Sequence, residues 1–228
     1  MTAPWPARAV LIDLDGTLLD TVPDIAAAVN AMCSELGQST LPSATVASYI
    51  GKGADVLVHR VLTGSLDGRV APDQFVRAKE SFYRHYRRFN GHAALVFPGV
   101  PGALADLQAR GLRLACVTNK PREFTLDLLE RVGLVDYFAV VISGDDTVEK
   151  KPHAAPVLAA CERLAVSPLD AVMIGDSEND LLSARAAGCR AILVEGGYNE
   201  GVAVGTLPAD AIVETLSDAV HLIAAPAT

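Results

Sequence analysis

Val10-Leu11-Ile12-Asp13-Leu14-Asp15-Gly16-Thr17 is an apolar, β-branched run that ends abruptly in two carboxylates, a glycine and a threonine. Such a run reads as a buried parallel strand delivering its charges at the carboxyl edge of a sheet. That edge is where open α/β sheets bind ligands. Side chains two apart on extended backbone share a face, so Asp13 and Asp15 can both point at one bound group. A strand followed by a solvated acidic turn would leave the same pattern. The pair therefore acquires meaning only if other strands deliver matching chemistry.

Working outward, the segments Leu112 to Thr118, Phe138 to Ser143, Ala171 to Asp176 and Arg190 to Val194 repeat the short, apolar, Val- and Ile-rich character of Val10 to Asp13. Helical patterns alternate with them at Pro101 to Arg110, Glu123 to Val132, Ala155 to Leu164 and Asn179 to Ala187. Gly111, Gly133 and Gly188 each follow a helical pattern, as C-terminal caps do. The alternation predicts an α/β fold: a doubly wound, Rossmann-like parallel sheet with right-handed crossovers.

One connection breaks this rhythm. Roughly 75 residues separate Asp20 from Phe97, where a β-to-α loop ordinarily takes about 2 to 6. The patterns inside are helical: Pro23 to Leu36, Ser43 to Ile50, Ala54 to Leu62 and Pro72 to Arg88, separated by Gly37, Gly51-Lys52-Gly53 and Gly64 to Gly68. We therefore expect a small helical cap domain over residues 20–90, inserted into a core of residues 1–19 and 91–228. From Thr21 to Asn90 there are eight Lys and Arg against six Asp and Glu, although the whole chain carries a net charge of −8. A locally basic cap over an acidic floor would draw in an anionic substrate; ordinary charge on exposed helix faces gives the same count. The stretch Tyr83, Arg84, Tyr86, Arg87 and Arg88 is read as core residues plus a solvated face, and the tail Ile223 to Thr228 is expected to be frayed.

Composition excludes several classes. A chain of 228 residues, half of them hydrophobic, is long enough for a sizeable core plus a smaller accessory unit. Net negative charge argues against a nucleic-acid or anionic-membrane partner. The N-terminal residues carry no signal-like segment and no run approaches membrane-spanning length, so a cytoplasmic location is the expectation. Cys33, Cys116, Cys161 and Cys189 lie far apart without C-x-x-C spacing and read as reduced core residues. The five histidines are scattered.

Three further strand ends carry chemistry. Leu114 to Val117 runs into Thr118-Asn119, a hydroxyl and a carboxamide able to bind phosphate oxygens. Ala171 to Ile174 runs into Gly175-Asp176-Ser177-Glu178-Asn179-Asp180, a second acidic cluster opening a helix. Capping and the helix dipole would account for one of these acids, but not for a cluster at the same edge as Asp13. Lys150-Lys151-Pro152 follows the third strand, and a lysine before proline is held extended. Carboxylates with few other ligands suit Mg²⁺, which keeps waters and shares substrate oxygens. The remaining groups would neutralise a phosphoryl group. A glycosidase-like carboxylate pair would leave Thr118, Asn119 and Lys151 without a task.

In this order, Asp13-Leu14-Asp15-Gly16-Thr17, Thr118-Asn119, Lys151-Pro152 and Gly175-Asp176-Ser177-Glu178-Asn179-Asp180 resemble the four motifs of the haloacid dehalogenase superfamily, across essentially the whole chain. Any one is weak and the combination is specific. Val22 to Val29, Ile50 to Leu57, Val117 to Pro121 and Lys150 to His153 further resemble bacterial phosphoglycolate phosphatases. Ala154 departs from the proline that relatives commonly carry there.

The resemblance implies a Mg²⁺-dependent phosphomonoesterase acting on a small phosphorylated metabolite, 2-phosphoglycolate foremost, as a monomer or homodimer. By it, Asp13 is the nucleophile and Asp15 the acid and base. Thr118, Asn119, Lys151 and the amides around Gly16 and Thr17 grip the phosphoryl oxygens. Asp13, the Asp15 carbonyl and Asp176 hold the metal, with Asp180 in support. In the cap, Lys52 and Arg60 are candidates to meet a substrate carboxylate. Sugar-phosphate phosphatases, a pyrophosphatase, a phosphomutase and a phosphonate hydrolase share these motifs. A phosphorylation-dependent switch protein is the alternative from another class, although receiver modules place their acidic pair and acceptor on different strands and lack a helical insert.

Overall fold

The computed structural model describes residues 4–225. Its strands are β1 (Trp5–Pro6), β2 (Ala9–Ile12), β3 (Leu19–Asp20), β4 (Leu95–Val96), β5 (Arg113–Val117), β6 (Val140–Ile142), β7 (Ala171–Gly175), β8 (Arg190–Val194), β9 (Ala211–Val213) and β10 (Ile223–Ala224). Its α-helices are α1 (Val22–Glu35), α2 (Ser43–Ala47), α3 (Ala54–Thr63), α4 (Pro72–Phe89), α5 (Val100–Ala109), α6 (Arg122–Arg131), α7 (Ala155–Leu164), α8 (Glu178–Ala187) and α9 (Leu216–His221).

Six strands form one parallel sheet in the order β6-β5-β2-β7-β8-β9. Counted in chain order within the sheet this is 3-2-1-4-5-6, the doubly wound arrangement, whose switch point lies between β2 and β7. All four residues of β2 are buried, because both sheet faces are covered. Val10 and Ile12 pack on one face with Leu104 and Leu107 of α5 and Val220 of α9. Ala9 and Leu11 pack on the other with Val157 and Leu164 of α7 and Leu181 of α8. Each such aliphatic side chain stabilises the fold by about 1.5–3 kcal/mol.

Register places the site. Ile12 stands level with Cys116 and with Ile174, so Asp13, Thr118 and Asp176 emerge together at the carboxyl edge. A slip of β2 by one residue would exchange the side chains packed on the two sheet faces and turn Asp13 to the other side.

Between β3 and β4, which pair antiparallel, the chain leaves the sheet and returns through α1 to α4. These helices bury their own cluster, including Ile25, Val29 and Met32 of α1 and Ala78, Phe82 and Tyr86 of α4. Phe124 of α6 joins it from the sheet side, with its ring 4.6 Å from that of Tyr86. The buried Asp24 carboxylate accepts from the backbone N–H groups of Gly91, Ala93 and Ala94 at 2.8, 2.7 and 3.1 Å. It thereby ties the start of α1 to the returning chain. Arg84 and Arg87 on the outer face of α4 pair with Glu35 and Glu123, and Phe82 and Tyr86 on its inner face are buried.

Three details differ from the sequence expectations. Helix α2 stops at Ala47, and Ser48 and Tyr49 form a turn. A sixth strand, β9, extends the sheet; three half-buried residues carry too little pattern to distinguish them from a loop. The tail is held down as far as β10, which pairs with β1 and fully buries Ile223; Pro226 to Thr228 of the expected frayed tail lie outside the described residues. All four cysteines are buried free thiols. Among the described residues no helix is long and apolar enough to cross a membrane.

Candidate active site

The switch point opens into a pocket of about 50 Å³, floored by Asp13, Asp15, Thr118, Lys120 and Asp176 and roofed by Ile50, Gly51, Leu57, Phe82 and Tyr86 of the helical insert. By this measure a water takes about 10–15 Å³, so the space suits an occupant of few non-hydrogen atoms. Apolar walls on the insert side and ionisable groups on the sheet side divide it chemically.

Asp13 follows β2 directly. Its buried Oδ1 lies 2.8 Å from Lys151 Nζ and meets no other donor. Burial pushes the Asp13 carboxyl up, to about 7, while Lys151 pulls it down and the neighbouring carboxylates add to the rise. Lys151 donates to Val117 O and to Asp180 Oδ1, both at 2.7 Å. Although burial disfavours its charge, Asp13 and Asp180 together hold the ammonium protonated well past the usual lysine range. The other oxygen of Asp180 accepts from Ser177 N and Ser177 Oγ at 3.1 and 2.6 Å, closing a capping box at the start of α8. Asp180 thus fixes where Lys151 points.

Asp15 turns the other way. Its Oδ1 accepts from Lys120 Nζ and from Thr21 Oγ1, each at 2.7 Å. Lys120 is buried, and the Asp15 carboxylate and the Tyr86 phenol raise its ammonium above the usual lysine range against the opposing effect of desolvation. Two carboxylates two residues apart therefore occupy different environments. Asp13 faces Lys151, and Asp15 sits at the seam between sheet and insert.

Asp176 ends β7. Its Oδ1 accepts from Thr17 Oγ1 at 2.9 Å and its Oδ2 from Tyr198 N at 2.6 Å, while burial drives its carboxyl up. A Cβ on Gly16, whose φ is 87°, or on Gly197 would collide with this carboxylate. Glycine at those positions lets the backbone close around Asp176. One oxygen each from Asp13, Asp176 and Asp180 lie within 4.8 Å of one another. Both Asp180 oxygens are engaged by strong donors, so the Asp13 carboxylate, whose one charged partner is Lys151, and the remaining lone pairs of Asp176 best fit a hard divalent cation.

The structure assigns several expected residues to other work. Asn119 lines the pocket, and its carboxamide is engaged by backbone groups. It donates to Gly51 O and Lys151 O and accepts from Lys151 N, all at 2.9 Å, bracing the lysine loop against the insert. Thr17 orients Asp176. Arg60 is 1% exposed, and its guanidinium donates to Leu66 O, Tyr49 O and Glu200 Oε1. Direct contact with substrate gives way to an internal role, because each of the three guanidinium nitrogens already has an acceptor. Lys52 stands between the pocket-lining Gly51 and Gly53, with its Nζ 3.0 Å from Oε1 of Glu200, which also lines the pocket.

Sequence reasoning passed over Lys120, Thr21, Tyr198 and Glu200. Lys120 sits one residue beyond Thr118-Asn119 and could have been found from that spacing. The other three carry no local signal. Tyr198 becomes visible only when its hydroxyl is seen to donate to Asp20 Oδ1 and to accept from Thr21 N, at 2.7 and 2.9 Å across 178 and 177 residues.

Residues 10–194 match the family model of haloacid dehalogenase-like hydrolases. The chain is 50% identical to a phosphoglycolate phosphatase of Nitrosospira multiformis, over 98% of each protein, and 44% identical to one of Thiobacillus denitrificans, over 96% of this chain and 97% of the relative. A crystal structure of a predicted phosphoglycolate phosphatase from Haemophilus somnus superposes with a TM-score of 0.88 at 30% identity, covering 93% of this chain and 96% of that one. The chain belongs to the haloacid dehalogenase-like hydrolase family and is a phosphoric monoester hydrolase related to the phosphoglycolate phosphatases.

Proposed function

We propose that this hydrolase is a Mg²⁺-dependent phosphomonoesterase that cleaves 2-phosphoglycolate to glycolate and phosphate in two steps, with Asp13 as nucleophile and Asp15 as acid and base. The observation that carries this reading is the separation of the two carboxylates around one small pocket: Asp13 beside Lys151, Asp15 beside Lys120. The naming of relatives 50% and 44% identical to this chain supports the choice of substrate.

In the first step an Asp13 oxygen attacks phosphorus, the ester P–O bond breaks, and Asp15 gives its proton to the departing glycolate oxygen. An alkoxide leaves poorly unless protonated as it departs, which is the task of a general acid. In the second step Asp15 takes a proton from water, which attacks phosphorus and returns Asp13 to the free carboxylate. Thr118 and Lys151, with the backbone amides following Asp13, stabilise the charge spread over the phosphoryl oxygens. The roof residues Ile50, Leu57 and Phe82 exclude bulk water. Asp13, Asp176 and the Asp15 backbone carbonyl would hold Mg²⁺, which would supply positive charge to the phosphoryl group and keep Asp13 ionised.

The test is a panel of phosphate esters with and without Mg²⁺: 2-phosphoglycolate, glycerol phosphate, sugar phosphates and pyrophosphate. The reading expects 2-phosphoglycolate among the best substrates by kcat/KM, and no turnover after chelation. Preference for a sugar phosphate or pyrophosphate would replace the substrate and keep the chemistry.

A further inference from the structure

Glu200 belongs to the loop after β8, on the sheet side, yet its carboxylate reaches the insert. Its Oε1 accepts from Arg60 at 2.6 Å and lies 3.0 Å from Lys52 Nζ. Arg60 is itself anchored by Leu66 O and Tyr49 O, so the three side chains form a chain of support from a buried guanidinium, through a carboxylate, to the ammonium of a residue flanked by the pocket-lining Gly51 and Gly53. Glu200 lines the pocket. It also adopts φ 49°, in the left-handed region that a residue with a Cβ enters rarely, just before Gly201. Partial burial would raise its carboxyl, but the hydrogen bonds from Arg60 and Lys52 bring it below the usual range, so the group is anionic. Two cations around one anion leave a single positive charge uncompensated beside a pocket for a small molecule.

We infer that Glu200 is a specificity-determining positioning residue: pinned by Arg60, it holds the Lys52 ammonium where a leaving group bearing one small carboxylate meets the remaining positive charge. This rests on the substrate reading above and extends it from the nucleophile's end of the pocket to the other. A lysine alone would sweep a wide volume on its flexible stem. Fixed at Glu200, it offers its free N–H groups in one direction, and the ordering cost is met before substrate arrives.

The experiment compares 2-phosphoglycolate with 2-hydroxyethyl phosphate, which replaces the carboxylate by a neutral hydroxymethyl group of similar size. Wild-type protein is expected to prefer the first by kcat/KM. Glu200→Gln keeps an acceptor for Arg60 but loses the ionic hold on Lys52, and should lower the ratio of the two kcat/KM values at least about tenfold, equivalent to about 1.4 kcal/mol, through a higher KM for 2-phosphoglycolate. In a Lys52→Met background the same change should alter the ratio less than about twofold, because coupled residues lose their effect together. An unchanged ratio in Glu200→Gln, a lower KM for 2-phosphoglycolate, or equal losses with and without Lys52 would overturn the inference and leave the substrate reading standing. A wild-type protein without preference for the carboxylate would overturn both.

Discussion

Lys120 Nζ stands 2.7 Å from Oδ1 of Asp15, and Thr21 Oγ1 donates to the same oxygen at the same distance. The lysine comes from the loop three residues beyond β5 and the threonine from the residue before α1, so the carboxylate is held between sheet and insert. The same ammonium lies 5.2 Å from the ring centre of Tyr86 on α4. The carboxylate proposed to give and take protons is thus set in place by both halves of the pocket.

Lys120→Met should lower kcat/KM for 2-phosphoglycolate by about 10²-fold, the scale of a misplaced general acid. For p-nitrophenyl phosphate the loss should be smaller, because p-nitrophenolate departs without protonation. Steady-state kinetics on the two esters measure the difference. Equal losses would show that Lys120 acts on something other than leaving-group protonation.

Metal affinity should depend on pH. Burial, opposed by Lys151, places the metal-free Asp13 carboxyl at about 7, and a metal ligand must be ionised. Below about pH 7 a cation has to displace a proton from Asp13, which should lower apparent Mg²⁺ affinity by up to about tenfold per pH unit for that group alone. The raised Asp176 carboxyl acts in the same direction. Calorimetric titration of Mg²⁺ between about pH 6 and 8 checks this; affinity independent of pH would contradict it.

The sheet was legible because burial on both faces makes β2, β5, β7 and β8 nearly continuous apolar runs, and because Asp13, Thr118 and Asp176 each directly follow such a run. What was not legible depends on contacts made at long range. Nothing near Glu200 in sequence announces Arg60, which lies 140 residues away. Asn119 was read as a phosphate ligand because its type and position allow it; only the fold shows its three hydrogen bonds taken by backbone. Strand β9 and the β1–β10 pair are too short to carry a period.

Asp24→Asn should destabilise the protein by about 1–3 kcal/mol, since a carboxylate accepting three backbone N–H groups becomes an amide with one acceptor oxygen. Urea unfolding monitored by circular dichroism gives the value. A change within about 0.5 kcal/mol would mean that the returning chain Gly91 to Ala94 finds its hydrogen bonds elsewhere.

Glu35 predicts an acid limb in stability. Hydrogen bonds from Arg84, His85 and Ser81 hold its carboxyl at about 2, against an ordinary 4.5. A depressed folded-state value means the contribution is present above about pH 4.5 and is lost as pH falls towards 2. The midpoint of thermal unfolding should therefore drop across that window, and less so in Glu35→Gln. Parallel curves for the two proteins would remove Glu35 from the account.

The division of labour between Asp13 and Asp15 is tested most directly by rapid-mixing kinetics of p-nitrophenyl phosphate with the Asp15→Asn variant. Its leaving group needs no acid, so Asp13 should still be phosphorylated, while water lacks its base. A burst of about one equivalent of p-nitrophenolate per enzyme, followed by slow turnover, is the predicted result, together with no burst from Asp13→Asn. A burst from Asp13→Asn, or none from an Asp15→Asn protein that still turns over, would contradict it.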